Sequence, residues 1–241
     1  MEQPTRSLSA EKILDVWEAG RQQHELDRAL TLLSAAYPGV SRDELADLTI
    51  GERDARLLRL REAVLGTRAA GISECPTCGQ RVEFPLDTRT LAETGEFSET
   101  PREIEVNGTC VRFCLPTSRD LADAVTAPNQ SSGVRQLIER CVIEPLLSEE
   151  LSDQVVEALS HAILKADPQA EIIISLGCPN CEKRLELLFD IAHFFWNEIA
   201  AQAQRLVYEI HALARAYGWT EREILSLPAQ RRQTYLEMLA A

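Results

Sequence analysis

Two short cysteine motifs carry the clearest chemical signal in the sequence: Cys75-Pro-Thr-Cys78 and Cys178-Pro-Asn-Cys181. Each motif places two sulfur ligands in one tight turn. Structural zinc is bound by four such ligands, arranged tetrahedrally at about 2.3 Å. One motif supplies half of a site, so we expect the two to meet around a single zinc ion. Because four thiolates would close the coordination shell, this zinc is predicted to be structural rather than catalytic.

The similarity of the two motifs extends beyond their cysteines. Residues 75–87 read Cys-Pro-Thr-Cys-x-x-Arg-Val-Glu-Phe-x-Leu-Asp, and residues 178–190 read Cys-Pro-Asn-Cys-x-x-Arg-Leu-Glu-Leu-x-Phe-Asp. The registers match without a gap. Polar and apolar residues alternate after each Cys-Pro-x-Cys motif, which we call a knuckle, as they do in a half-buried strand. We interpret the pair as a split zinc ribbon. The roughly 100 residues between the halves add little closure entropy, since that cost grows only logarithmically with length.

Other roles for the cysteines remain open at this stage. A Cys-x-x-Cys pair also suits a thiol oxidoreductase, and another metal is a further alternative. Cys110, Cys114 and Cys141 are predicted to be buried, inert thiols. The first two lie four residues apart on a predicted strand, about 13 Å when extended, which is too far for a disulfide. The four histidines form no ligand set, and capping or solvated roles are expected for them.

Two further clusters could contact partners. Arg53, Arg56 and Arg59 lie on one face of a predicted helix in an otherwise acidic chain. They are either a solvated face paired with neighbouring glutamates or a partner-binding stripe. The run Phe194-Phe195-Trp196 is predicted to belong to the core rather than to a binding site.

Charge and composition narrow the function classes. The 241 residues carry 25 Lys and Arg against 38 Asp and Glu, a formal net charge of −13. Such a surface disfavours nucleic acid and anionic membranes. Residues 1–10 lack the features of a signal peptide, and no apolar run approaches the roughly 20 residues of a membrane helix, so a cytoplasmic location is expected. No phosphate-binding loop, Gly-x-Ser-x-Gly or His-Glu-x-x-His motif is present, so neither catalysis nor a small-molecule substrate is predicted.

Hydrophobic periodicity predicts a mainly α fold with a small β element, a helical domain organised around the split four-cysteine zinc ribbon. Leu and Ala are abundant and aromatic residues make up only 5% of the chain, which favours helices. Five regions are predicted: N-terminal helices (1–68), the first knuckle and strand (69–90), an inserted hairpin with helices (91–170), a strand and the second knuckle (171–190), and C-terminal helices (191–241). The hairpin is predicted at 103–114 around an Asn107-Gly108 turn, with helices at about 134–142, 148–165 and 190–217.

Three stretches carry a resemblance to a known family. They are Leu45-Ala-Asp-Leu-Thr-Ile-Gly-Glu-Arg-Asp54-Ala-Arg-Leu57-Leu58-Arg-Leu-Arg61 with Gly66 and the first knuckle, Leu115-Pro-Thr-Ser-Arg-Asp120-Leu, and Glu209-Ile-His-Ala-Leu-Ala-Arg-Ala-Tyr-Gly-Trp219-Thr-Glu-Arg-Glu-Ile-Leu225 followed by Arg231-Arg232 and Tyr235-Leu236. Together they resemble the baseplate hub assembly family of T-even-type phages and related contractile injection systems. The resemblance implies a non-enzymatic assembly chaperone or minor hub component that binds other baseplate or tail proteins and can be incorporated into the tail-like particle. The alternatives are a zinc-ribbon adaptor in transcription or nucleic-acid handling and the thiol oxidoreductase named above.

Overall fold

The computed structural model describes residues 7–92, 101–106, 108–144 and 151–240. Helices dominate this part of the chain, as predicted. The helices are α1 Ala10–Gly20, α2 Glu25–Ala36, α3 Arg42–Ala46, α4 Ile50–Leu65, α5 Ser118–Ala124, α6 Gln130–Cys141, α7 Asp153–Ala166, α8 Ile191–Tyr217, α9 Glu221–Ser226 and α10 Ala229–Ala240. The strands are β1 Arg68–Glu74, β2 Arg81–Asp87, β3 Arg102–Val106, β4 Thr109–Phe113, β5 Val142–Glu144, β6 Ile172–Gly177 and β7 Arg184–Phe189.

The main core lies where the N-terminal helices pack on the long helix α8. It is built from the apolar faces of α1, α2, α4 and α8, and its centre includes Leu33, Leu57, Phe195 and Ile199. Capping side chains set the helix limits: the Ser9 hydroxyl accepts the Lys12 N–H at the start of α1. The four helices thus form the platform from which both knuckles project. In the described residues no helix combines the length and the apolar character that crossing a bilayer demands.

The region between the knuckles forms a smaller unit with its own core. The strands β3, β4 and β5 make an antiparallel sheet, and helices α6 and α7 pack against one face of it. The core between them includes Val111 and Phe113 of β4, Ile138 of α6 and Leu159 of α7. The predicted hairpin is present, although Asn107 of its turn lies outside the described residues. Helix α6 begins at Gln130, earlier than predicted, because the Asn129 side chain caps it by accepting the Ser132 N–H. The predicted start of the next helix, Ser148, also lies outside the described residues.

Each cysteine motif sits at the tip of a two-stranded antiparallel hairpin. Strands β1 and β2 form hairpin 1, and β6 and β7 form hairpin 2. The sequence predicted only the second strand of hairpin 1, since β1 is rich in small residues and poor in β-branched ones. Gly71 of β1 faces Phe84 across the hairpin, and a Cβ at Gly71 would lie 2.4 Å from the phenyl ring. A larger residue at position 71 would therefore displace the Phe84 ring from its place over the strand.

One buried arginine fixes hairpin 1 to the helical core. Arg61 in α4 is only 1% exposed, and its guanidinium donates to both carboxylate oxygens of Glu198 in α8, at 2.9 and 2.7 Å. The same group donates to the carbonyl oxygens of Gly66 and Arg68, where α4 ends and β1 begins. Helix α4, strand β1 and helix α8 are thereby held at one point. Whether the five predicted regions behave as separate units stays a prediction.

Candidate metal centre

The two knuckles fold identically at the level of backbone hydrogen bonds. In hairpin 1 the Cys75 N–H donates to the Gln80 carbonyl at 2.9 Å, and the Gly79 N–H donates back to the Cys75 carbonyl at 2.8 Å. In hairpin 2 Cys178 and Lys183 make the first bond, and Glu182 and Cys178 make the second, both at 2.9 Å. The sequence repeat is therefore also a structural repeat.

The four predicted sulfur ligands converge on one point. The Sγ atoms of Cys75, Cys78, Cys178 and Cys181 all lie within 4.8 Å of one another. Across the two hairpins, Cys75 Sγ is 3.7 Å from Cys181 Sγ, and Cys78 Sγ is 3.7 Å from Cys178 Sγ. A tetrahedron of four thiolates at about 2.3 Å from a central ion has an edge of about 3.8 Å. The predicted meeting of the knuckles is confirmed, and the geometry is compatible with one metal ion.

A small apolar cluster supports the sulfurs from below. Cys75 and Cys178 are buried, and so are Val82 and Leu185, which follow them at the same spacing in the two repeats. Cys78 is exposed and Cys181 is half-buried, so the centre opens to solvent on one side only. One thiol from each knuckle anchors the centre to the apolar cluster, and the other closes it from outside. Two hairpins that are individually small thus share a single core.

The surroundings of Cys78 and Cys181 shift the pKa values of these two thiols in opposite directions. The Asn180 side chain and the Gln80 N–H lower the pKa of Cys78 to about 6. The Lys183 N–H favours ionisation of Cys181, yet burial and the three other sulfurs outweigh it and raise the pKa of Cys181 to about 11. Sulfurs this close cannot all become thiolates without a cation, because like charges oppose each other's ionisation. A divalent ion would remove that conflict, so the donor set suits a metal.

The predicted arginine stripe is not one exposed surface. Arg53 is only 5% exposed and pairs with the Asp54 carboxylate at 2.7 Å. Arg56 is half-buried and pairs with Glu52 at 2.6 Å, as expected for a solvated helix face. Arg59 is exposed. A partner-binding role stays a prediction, and in the free chain it could involve only Arg56 and Arg59 directly.

The other cysteines divide differently from the prediction. Cys141 is buried and Cys114 is half-buried, but Cys110 is exposed, which corrects the expectation that all three are buried. The reason is strand alternation: Val111 and Phe113 of β4 face the core, so Cys110 points the other way. The Cys114 thiol donates to the Cys141 carbonyl at 3.4 Å, and its contact with the Cys141 thiol lowers the pKa of Cys114 to about 7.

The remaining predicted groups have structural places. Phe195 and Trp196 are buried in the main core, as predicted. His24 caps α2 by accepting the Leu26 N–H, and His193 lies 3.2 Å from the Glu25 carboxylate on the surface. In the described part of the chain, the group that could hold a metal consists of the four cysteines alone.

A mainly helical chain with two small hairpins that bring four cysteine sulfurs together defines a protein with a candidate metal centre. The chain belongs to the T4 bacteriophage base plate protein family, whose model matches residues 7–196. This match covers both knuckles and confirms the resemblance to phage baseplate proteins, and it ends within α8. Neither a curated protein nor a solved structure gives a significant match to the chain.

Sequence reasoning missed the charged side chains that hold the elements together. The Arg61–Glu198 pair and the buried Asp54 and Asp167 carboxylates are not predicted by any motif. Arg61 lies among the buried residues of α4, and an arginine carries no signal of burial in the sequence. The partner of that arginine lies 137 residues away, and no local pattern identifies it.

Proposed function

We propose that the chain is a non-enzymatic structural component or assembly factor of the baseplate of a contractile phage tail or phage-like injection system. It would act by binding other tail proteins, and one zinc ion would stabilise the fold that presents its binding surface. Family membership supports the baseplate role. The observation that carries the scaffold role is the convergence of four sulfurs from two distant hairpins.

Zinc is the metal that this donor set favours. Tetrahedral sites of four thiolates hold zinc or iron–sulfur centres, and a site for a single ion with edges of 3.7 Å fits zinc. Cys75, Cys78, Cys178 and Cys181 would hold the ion, which supplies positive charge to four thiolates and closes the shell. Hairpin 1 follows α4 and hairpin 2 precedes α8, so the ion would fasten two parts of the helical platform to each other.

Metal analysis tests the zinc scaffold directly. We expect one zinc per chain after purification without added metal, and less than half of that in Cys178→Ser. Since binding free energy at a structural site is folding free energy, Cys178→Ser should also lower the melting temperature by roughly 10 °C or more. Cys110→Ser, which changes a cysteine outside the cluster, is the control and should leave both quantities unchanged. A zinc-free wild type, or an unchanged melting curve for Cys178→Ser, would contradict the scaffold.

The baseplate role is tested by capture from cells that express the neighbouring tail genes. We expect the tagged wild-type chain to recover at least one identified tail protein in stoichiometric amount. Recovery of none would refute the assembly role. No observation favours the nucleic-acid adaptor, and the metal analysis separates the thiol oxidoreductase from a closed zinc site.

A further inference from the structure

A groove of about 880 Å³ lies between the two hairpins and the first half of α8. Strand β1 contributes Ala69, Ala70 and Ile72 to its wall, and strand β7 contributes Leu188 and Phe189. The volume is comparable to that of clefts that hold several side chains of a bound molecule. The cysteine cluster is not part of this wall, so the groove is a feature separate from the candidate metal centre.

The hairpin walls of the groove expose large apolar side chains. Ile72 is 58% exposed and Leu188 is 68% exposed. Ile173, which pairs with Leu188 across hairpin 2, is exposed beside the groove without lining it. Single exposed apolar residues are normal on protein surfaces, but a group of them around one concave site is typical of a binding surface.

The charges at the groove favour an acidic occupant. Arg61 and Glu198 neutralise each other. Asp190 accepts the backbone N–H of His193 as the cap of α8 and contributes one negative charge to the groove. Arg68 and Arg205 are exposed, and neither makes an ion pair within the residues that the structure describes. Arg68 lies opposite Asp87 across hairpin 1, and the Arg205 guanidinium donates to the Ala201 carbonyl at 3.4 Å. These two positively charged side chains border a groove in a chain whose net charge is −13. Carboxylates of a partner would meet complementary charge here. The main effect of this complementarity would be a faster association of the partner with the groove.

Both strands that line the groove are edge strands. In the described sheets β1 pairs with β2 alone, and β7 pairs with β6 alone. An edge strand offers unpaired N–H and C=O groups to an extended peptide, and alternate side chains of that peptide then enter neighbouring pockets. An extended segment fits this wall better than a helix, which cannot use those backbone groups.

We propose that the groove binds an extended segment of another tail protein, with apolar side chains against Ile72 and Leu188 and carboxylates against Arg68 and Arg205. The identity of the occupant as a tail protein rests on the proposed function. The groove is separate from the knuckles, so changes in the groove should not alter zinc content.

Site-specific photo-crosslinking tests where the partner lies. The photoreactive residue p-benzoylphenylalanine replaces Ile72 in one variant and Val125 in the control, a residue on the inserted region that is 57% exposed. Both variants are expressed with the neighbouring tail genes and irradiated, and the cross-linked peptides are sequenced by mass spectrometry. We expect position 72 alone to cross-link to one segment that contains both apolar and acidic residues. Cross-linking of a second copy of this chain, or of a basic segment, would overturn the proposal.

Affinity measurements with the cross-linked segment as a synthetic peptide test the chemistry. Arg68→Glu with Arg205→Glu, and separately Ile72→Asp with Leu188→Asp, should each weaken binding at least tenfold at low salt. Val125→Asp should stay within twofold of wild type, and circular dichroism with zinc analysis verifies that all variants fold. Groove variants within twofold of wild type would overturn the proposal.

The two proposals fail in different ways. If the wild type captures a tail protein that cross-links at position 125 or nowhere near the groove, the groove proposal is wrong and the baseplate role stands. If the wild type captures no tail protein at all, the baseplate role is wrong, and the groove proposal that rests on it is overturned with it.

Discussion

Glu182 occupies a backbone conformation that side chains other than glycine rarely adopt. Its φ is 60°, and among the described residues it is the one non-glycine residue with positive φ. The equivalent position in the first knuckle is Gly79, with φ 71°. Both residues donate their N–H to the first cysteine of their knuckle, so the turn imposes this conformation. The second knuckle therefore stores strain that the first avoids.

Glu182→Gly should stabilise the protein by roughly 0.5–1 kcal/mol. Removing the Cβ relieves a strain of about 1–2 kcal/mol in the folded state. Glycine also gives the unfolded chain more freedom, which offsets about 0.4–1 kcal/mol of this stabilisation. Chemical denaturation with zinc present measures the change. Gly79→Ala is the matched control and should have the opposite sign, because its Cβ meets nothing closer than 3.7 Å and only the backbone is strained. Equal signs for the two variants would contradict this account of the turn.

The accessibility of Cys78 allows metal occupancy to be detected by chemistry. Its side chain is exposed, and hydrogen bonds from Asn180 and Gln80 lower the pKa of the Cys78 thiol to about 6, so a free Cys78 would be a reactive thiolate at pH 7.5. In a Cys110→Ser background we expect a maleimide to label Cys78 at least tenfold faster after chelation than before. Peptide mapping identifies the labelled residue. Rapid labelling of zinc-loaded protein would show that Cys78 is not a ligand.

At the scale of elements, Arg61 decides how hairpin 1 leaves the helical core. Its guanidinium holds the end of α4, the start of β1 and the N-terminal third of α8. A bidentate arginine–carboxylate pair is directional, so it fixes an angle as well as a distance. The first knuckle can meet the second only if β1 leaves α4 in the right direction. Arg61 is thus a structural residue that positions the candidate metal centre without touching it.

Glu198→Ala should destabilise the protein by roughly 2–3 kcal/mol. The variant leaves the buried Arg61 without a counter-ion, which costs about 3–5 kcal/mol in fully buried pairs, and the partial exposure of Glu198 reduces that figure. Equilibrium denaturation measures the loss. Glu25→Ala removes the carboxylate of the exposed pair with His193 and should cost less than about 0.5 kcal/mol. A loss for Glu198→Ala no larger than that of this control would contradict the role of Arg61.

Elements that are determined by adjacent residues could be predicted from the sequence, and elements that depend on distant contacts could not. The knuckles were predicted because a Cys-Pro-x-Cys turn and the strand after it depend on adjacent residues, and because the motif is repeated. Strand β1 was missed because its small residues carry no strand signal and depend on Phe84 opposite Gly71. The exposure of Cys110 was missed because the sequence shows that Cys110 and Val111 lie on opposite faces of a strand, but not which face is buried.

At the scale of the whole molecule, the buried carboxylate of Asp167 joins the helical core to the inserted unit. The Gly51 N–H at the start of α4 donates to Asp167, after α7, at 2.9 Å. A Cβ at Gly51 would collide with that carboxylate, so glycine is required there. The Ile50 N–H also donates to the Pro116 carbonyl at 3.0 Å. Besides its two chain connections, the inserted unit is therefore held to the start of α4 by these two hydrogen bonds.

The junction places like charges near one another in a buried environment. Burial raises the pKa of Asp54 to about 6; the adjacent Arg53 opposes this shift, while Asp190 and Asp167 add to it. Burial also raises the pKa of Asp167. A carboxyl group whose pKa is higher in the folded state binds its proton more tightly there. Its stabilising contribution is complete below the unfolded pKa of 3.8 and is lost as pH rises through about 6.

The stability of wild type relative to Asp54→Asn should therefore fall by about 1 kcal/mol between pH 5 and pH 8. The neutral amide does not titrate, and the zinc thiolates are common to both proteins, so their pH dependence cancels in the difference. Denaturation midpoints at several pH values with zinc in excess measure it. Asp15→Asn, at an exposed carboxylate of α1, is the control and should show no such trend. A difference between wild type and Asp54→Asn that stays constant across this range would mean that Asp54 is ionised at pH 5 in the folded protein, and that its pairing with Arg53 outweighs the cost of burial.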